Sequence, residues 1–393
     1  MSTPVSLEGL KKELPAKLRQ VGWGLLVVGI AAIALGYVID PRRMAFDNAI
    51  GYLFFTSVAV GSVFLIALEY IAGAVWSTPM RRVNEFLGSL VLLLPLIALP
   101  LFFHLHDLFH WTHEEALAAD KVLVAKSPYL NVSFFLIRFA VMYLLWSLFY
   151  VLFTRNSTKQ DTTKDPRLTT INVRLAAFFL PVFAISLTLT AVDWAMSLEP
   201  HWASTIFGVY YFAGTVLASI SAATVVIIYF HENGYLPKLQ RDSFYSLGAL
   251  LFAFINFWAY IAFSQFLLIW YANLPDETIW FITRWKNGWE VVSILLIIVH
   301  FVVPYVALLT QDSKMDLKRL KLVAIWILIA HLLDLYWLVM PSYSEKVSLS
   351  WTDLAFPVFI VGLAIVVMAY KMKRNNVIAI GDPKLERGLS FRL

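Results

Sequence analysis

The 393-residue sequence contains no cysteine, and charged residues make up only 15% of it. Without cysteine the chain cannot form disulfides, hold a cysteine-ligated iron–sulfur cluster or attach haem c covalently. A b-type haem held by two histidines is the main redox group that this composition leaves open. Hydrophobic residues make up 60% of the chain, which is more than is usual in soluble proteins. Together with the scarcity of charge, this share excludes a typical soluble domain.

Long apolar runs account for most of this hydrophobic content. Each is about twenty residues long, enough to cross a ~30 Å hydrocarbon core as a helix. None alternates in the way that the strands of a membrane barrel do. We therefore predict an all-α polytopic membrane protein with ten transmembrane helices. The predicted spans cover 21–39, 49–73, 86–103, 132–153, 173–193, 204–230, 246–270, 289–310, 320–340 and 353–371.

The positions of the basic residues predict how the chain is oriented. Most of the 31 lysines and arginines lie before the first span, in every second loop and after the last span. Because basic residues stay on the cytoplasmic side of short loops, we expect both termini in the cytoplasm. This predicts a cytoplasmic N-terminal segment (1–20), a transmembrane domain (21–371) and a cytoplasmic C-terminal tail (372–393). The net charge of +5 follows from these loops and requires no nucleic-acid partner.

Four of the eight histidines lie within residues 104–113, after the third span. His106, His110 and His113 have the spacing of one helix flank, which could hold a metal ion. The same pattern is typical of a helix in the membrane interface, with Trp111 at headgroup level. No catalytic spacing accompanies these histidines. We therefore assign no metal site and favour a periplasmic docking surface, which would be formed by His106, His110, Trp111 and His113.

Three ionisable residues lie deep inside predicted spans, where each costs several kcal/mol unless it is paired or hydrated. His300 and His331 lie about 16 Å from the ends of their spans, near the membrane midplane. Asp334 lies one turn further on, on the same face as His331. Three interpretations stay open: a proton relay, interhelical hydrogen bonds that only hold the helices together, and a haem ligated by the two histidines.

Three further charged residues lie within or at the ends of spans. Glu69, in the cytoplasmic part of the second span, is either a proton entry point or a side chain that reaches the interface near Arg81 and Arg82. Arg138 lies deep enough in the fourth span to need a partner. Asp193, at the outer end of the fifth span, is a candidate for a buried ion pair with it.

Four long stretches of the sequence carry a resemblance to a known family. They are HDLFHWTHEEALAADKVLVAKSPYLNVSFFLIR (106–138), AVDWAMSLEPHWASTIFGVYYFAG (191–214), FWAYIAFSQFLLIWYANLPDETIWFITRW (257–285) and HLLDLYWLVMP (331–341). Together they resemble the ActF subunits of bacterial alternative complex III, a quinol:electron-acceptor oxidoreductase. These subunits belong to the NrfD/PsrC-like membrane proteins, and the similarity runs from about the second span to the ninth.

The resemblance implies an architecture and a set of partners. Two four-helix bundles, about 49–193 and 204–340, would have the first and tenth spans at their periphery. The partners would be a paralogous quinol-binding membrane subunit (ActC), an iron–sulfur subunit, multihaem cytochrome c subunits, other small membrane subunits and lipids, with association to a terminal oxidase. Haem c and iron–sulfur clusters would lie in those partners, and this chain would bind no cofactor. The expected location is the bacterial cytoplasmic (inner) membrane.

The resemblance also implies a non-catalytic role. The chain would be a structural subunit of a respiratory quinol:cytochrome c oxidoreductase, or of one with another periplasmic acceptor, and quinol oxidation would occur in its partners. The family's proposed proton conduction would fall here on His300, His331, Asp334 and Glu69. Two alternatives are a proton-coupled secondary transporter and a quinone-binding redox subunit.

Overall fold

The computed structural model describes residues 13–236 and 239–393. Within these ranges the chain is all-α and has no β-strand. Ten segments are long and apolar enough to cross a membrane, so the predicted all-α multi-pass membrane protein is confirmed. Residues 1–12 of the predicted N-terminal segment lie outside the described residues.

We number these ten spans α1 to α10 in chain order. They are α1 (Ala16–Ile39), α2 (Pro41–Ala72), α3 (Thr78–Phe103), α4 (Val132–Thr163), α5 (Arg167–Leu198), α6 (Phe207–Glu232), α7 (Arg241–Ala272), α8 (Trp289–Ala307), α9 (Leu317–Ser342) and α10 (Trp351–Arg374). Each overlaps the apolar run predicted for it. Several are longer than predicted, because polar residues continue the helix beyond its apolar part, as α4 does to Thr163.

The start of α2 is the clearest of these extensions. Asp40 alone separates α1 from α2, and its side chain accepts a hydrogen bond from the backbone N–H of Arg43 (3.0 Å). Pro41 occupies the first turn, where its missing N–H is not needed. A capping carboxylate and a proline therefore begin the helix well before the apolar run predicted at residue 49.

Two helices, α2 and α6, lie at the centre of the packing. Helix α2 contacts α1, α3, α4, α5, α6, α9 and α10, and helix α6 contacts α2, α3, α5, α7 and α9. Helices α1 and α10 pack mainly against each other. Their close approach requires glycine, since a Cβ on Gly362 would lie 2.4 Å from the backbone nitrogen of Leu26.

Candidate functional site

A cluster of polar side chains lies in the buried interior where α2, α8 and α9 meet. It consists of His300 from α8, His331 and Asp334 from α9, and Ser57 from α2, and each is at most 1% exposed. One nitrogen of each histidine and one oxygen of Asp334 lie within 4.8 Å of one another. The structure thus brings together three of the four residues for which the sequence suggested proton transfer.

Two neighbouring helices supply hydrogen bonds to Asp334. The hydroxyl of Tyr210 in α6 donates to Oδ1, and the indole Nε1–H of Trp258 in α7 donates to Oδ2 at 3.1 Å. His331 Nδ1 is 3.9 Å from Oδ2, too far for a hydrogen bond. Both donors to the carboxylate are therefore neutral groups.

The contact with Ser57 bears on the tautomer of His331. The Ser57 hydroxyl can donate to the carbonyl oxygen of Leu53, which is 2.9 Å away, and His331 Nε2 lies 3.1 Å from Ser57 Oγ. With the hydroxyl directed to Leu53, the ring would donate its Nε2–H to Oγ and Nδ1 would carry a lone pair. That lone pair faces the Asp334 carboxylate, and a proton placed between the two atoms would be attracted by both.

His300 packs against aromatic rings but makes no side-chain hydrogen bond to a described residue. It lies in a π-helical turn, Ile298–Val302, a feature often found at functional sites. Its ring packs on Trp258 with the ring centres 3.9 Å apart. Neither ring nitrogen has a hydrogen-bond partner among the described residues. Interhelical hydrogen bonding therefore does not explain His300, because a buried unpaired polar group costs free energy.

Gly214 in α6 provides the space that His331 occupies. A Cβ at this position would lie 2.9 Å from Cε1 of His331 and 3.2 Å from Nδ1.

Two imidazoles and a carboxylate are also groups that transition-metal ions bind. Each oxygen of Asp334 accepts one hydrogen bond and keeps a second lone pair, so the arrangement can serve as a set of acid–base groups or hold a metal ion.

Glu69, the fourth candidate, lies apart from this cluster. It is 5% exposed, and Oε1 accepts a hydrogen bond from Nη1 of Arg81 at 3.0 Å. Arg81 also binds Asp382 of the C-terminal tail (2.7 Å), whereas Arg82 pairs with other carboxylates. Twelve residues of α2 separate Ser57 from Glu69, which is about 18 Å of helix. Glu69 is thus a buried ion-pair residue at the predicted cytoplasmic end.

Arg138 and Asp193 form an ion pair at the opposite end of the molecule. Arg138 Nε lies 2.9 Å from Oδ2 of Asp193, and Nη2 lies 2.9 Å from Oδ1. Tyr129 adds a hydrogen bond to Oδ1 (2.9 Å) and its ring lies 3.8 Å from the guanidinium carbon. Burial and the charge of Asp193 raise the pKa of Tyr129, which keeps its hydroxyl a donor.

The histidine-rich segment differs from the single helix drawn from its spacing. It is divided into short helical pieces, Leu105–Leu108, His110–Thr112 and Glu114–Ala119, because Phe109 and His113 have extended backbones. The prediction of three histidines on one continuous helix flank is therefore wrong.

Burial also changes the expected docking surface. Trp111 is 1% exposed, because it stacks on Phe109 with ring centres 5.1 Å apart and packs on Phe135. Its expected place on the surface is therefore a second error. His106, His110 and His113 are exposed, and a docking role for these three stays a prediction.

Four buried residues gave no clear sequence signal: Ser57, Tyr210 and Trp258, which contact His331 or Asp334, and Arg284. Hydroxyl and aromatic residues are common in membrane helices, so nothing distinguished the first three. Arg284, between α7 and α8, is 1% exposed, and its guanidinium carbon lies 3.7 Å from the ring centre of Trp280. Burial lowers its pKa to about 10.

No protein-family model and no curated protein matches the chain. Over the residues that the structure describes, it therefore defines only a class: an all-α, multi-pass membrane protein with ten candidate spans and a buried His–His–Asp cluster.

Proposed function

We propose that the chain is an ActF-like integral subunit of a quinol-oxidising respiratory complex of the alternative complex III type. The four stretches quoted above support this role, and so does a ten-helix fold. The absence of cysteine excludes cysteine-held clusters from this chain and agrees with a subunit that holds no redox cofactor. The membrane would be the bacterial cytoplasmic membrane.

The proposed partners carry the electron-transfer chemistry. They are an ActC-like membrane subunit that binds quinol, an iron–sulfur subunit, multihaem cytochrome c subunits and other small membrane subunits, with association to a terminal oxidase. Three exposed histidines on the predicted outer face, His106, His110 and His113, would contribute to the surface that meets the periplasmic subunits.

The second part of the proposal is that the chain carries protons through the buried cluster. The observation that supports it most directly is His300, whose two nitrogens have no hydrogen-bond partner among the described residues although it is fully buried. Beside it, Asp334 accepts hydrogen bonds from two neutral donors, and His331 Nε2 hydrogen-bonds with the Ser57 hydroxyl. A histidine next to a carboxylate can pass a proton by small changes of geometry.

The cluster also spans the two proposed bundles. Ser57 belongs to the first bundle and His331 to the second, and a hydrogen bond joins them. A relative movement of the bundles would change this contact and, with it, the tautomer of His331. Glu69 would act separately at the predicted cytoplasmic end, since about 18 Å of α2 separates it from Ser57.

The test is to replace Asp334 with asparagine in the whole complex. The asparagine side chain would keep the size of the aspartate but could not gain or lose a proton. We expect quinol oxidation to continue while proton release per quinol falls. The matched control is Asp276→Asn in an exposed outer loop, which should change neither quantity. Unchanged proton release at normal turnover in Asp334→Asn would reject proton transfer through the cluster.

A further inference from the structure

A cavity of about 340 Å³ lies between α3, α4 and α10, at the end of the molecule that we predict to face the cytoplasm. Its volume lies in the range of about 300–1,000 Å³ that is usual for small-molecule sites. Phe86 and Tyr150 line it and are buried, whereas Val151 lines it and is 43% exposed. Since Val151 belongs to the apolar part of α4, the cavity is open to the bilayer.

Two basic side chains in the cavity wall have no counter-charge. Arg155 of α4 and Lys371 of α10 both line the cavity, and neither forms an ion pair with a residue that the structure describes. Arg82 and Glu85 also line it, but they are paired with each other at 2.6 Å. The wall therefore presents two positive charges that are available to an anion.

Both basic residues lie at the depth of the lipid headgroups. The apolar run predicted for α4 ends at residue 153, two residues before Arg155, and the run predicted for α10 ends at Lys371 itself. Long basic side chains at such positions extend along apolar surface and keep their charge at the interface. Basic pockets between membrane helices on the cytoplasmic side are places where the headgroups of anionic lipids bind.

An apolar stripe on α4 leads to the cavity from the membrane. Leu144, Leu148 and Val151 precede Arg155 at intervals of four, three and four residues, so all four lie on one face of the helix. The three apolar side chains are 61%, 52% and 43% exposed. A stripe that ends at a cation matches a phospholipid, in which an acyl chain ends at a phosphate. A soluble anion would contact the cations only.

We propose that this cavity binds one anionic phospholipid, with its phosphate against Arg155 and Lys371 and an acyl chain along the stripe on α4. The site goes beyond the proton-carrying role and does not depend on it, because the cavity lies apart from the His–His–Asp cluster and binding is measured without transport. The lipid would join α4 to α10 at the membrane surface, since each helix supplies one of the two cations.

The experiment compares lipids that differ only in the headgroup. The full chain in detergent is titrated with dioleoyl phosphatidylglycerol or with dioleoyl phosphatidylcholine, and native mass spectrometry measures the affinity for the first lipid bound. We expect the anionic lipid to bind about twentyfold more tightly, because each basic residue near an anionic lipid contributes about fivefold. Glycerol 1-phosphate, added at the same concentration as the lipid, should not displace it, because it has no acyl chain.

Variants locate the site. Arg155→Gln and Lys371→Gln should each weaken phosphatidylglycerol about fivefold, and the double variant should lose the preference for it. Binding of phosphatidylcholine should stay unchanged, which shows that the variants are folded. The matched control is Lys159→Gln/Arg374→Gln, which removes two exposed charges from the same helices outside the cavity wall and should keep the preference.

Four results would overturn the proposal. The first is equal affinity of the unmodified chain for the two lipids, and the second is displacement of phosphatidylglycerol by glycerol 1-phosphate, which would indicate a site for soluble phosphates. The third is a preference that survives in Arg155→Gln/Lys371→Gln. The fourth is an equal loss in the control, which would show that the overall charge of this end of the molecule attracts the lipid and the cavity does not.

Discussion

Replacing Arg138 with methionine should destabilise the fold by about 3–5 kcal/mol, the usual cost of leaving a buried charge without its partner. Arg138 and Asp193 are 6% and 1% exposed, and two contacts of 2.9 Å join them. After the substitution, Asp193 would keep only the hydrogen bond from Tyr129. Most of the cost therefore comes from an isolated carboxylate and not from lost packing, because methionine keeps much of the arginine stem.

The double variant Arg138→Met/Asp193→Leu separates these two contributions. It removes both charges, and replacing a buried ion pair by apolar side chains of similar volume is often close to neutral. We expect it to recover most of the lost stability but to remain about 1 kcal/mol below the unmodified protein, since the Tyr129 hydroxyl loses its acceptor.

Unfolding in increasing SDS, followed by tryptophan fluorescence, would measure these differences. Arg174→Met, on an exposed face of α5, is the control and should stay within about 0.5 kcal/mol of the unmodified protein. A double variant that is no more stable than Arg138→Met alone would show that the isolated carboxylate is not the cause of the loss.

Two more substitutions test the buried sites by the same unfolding measurement. Gly214→Ala places a methyl 2.9 Å from His331 and should cost about 1–3 kcal/mol, whereas Gly24→Ala, with nothing within 4 Å, should be neutral or stabilising. Equal effects of the two would refute the proposed crowding. Arg81→Leu should destabilise the protein more than Glu69→Gln, because the first takes an arginine away from three carboxylates and the second leaves the arginine two partners. The reverse order would show that the arginine does not hold this group of charges together.

The amino-acid sequence was sufficient to predict the spans and the closeness of the two buried histidines. Apolar length determines where a helix crosses a membrane, and depth then follows from 1.5 Å per residue. His300 and His331 lie at similar depths on neighbouring helices, and their ring centres are 6.2 Å apart. The pairing of Arg138 with Asp193 could be anticipated for a related reason, since a deep arginine needs a partner of opposite charge.

Contacts between distant helices could not be predicted in this way. Ser57 meets His331 only because α2 packs against α9, and no local pattern specifies that packing. Asp382 lies in the C-terminal tail, where a charged residue is expected to be exposed to solvent, yet it is buried against Arg81. The prediction for Trp111 was wrong because an aromatic residue near a membrane interface is expected at the surface. In the structure, neighbouring rings enclose its side chain.

The distribution of charge along the membrane normal explains why the central cluster is the best candidate for proton transfer. At each end of the helices, buried carboxylates are held by arginine: Asp193 by Arg138, and Glu69 by Arg81. In the middle, the donors to Asp334 are a phenol and an indole, which carry no charge. An arginine is a permanent counter-charge, whereas neutral donors leave a carboxylate free to change its charge by gaining or losing a proton. The ends of the molecule are thus built to keep their charges fixed, and the centre holds a buried carboxylate, Asp334, whose charge can change without breaking an ion pair to arginine.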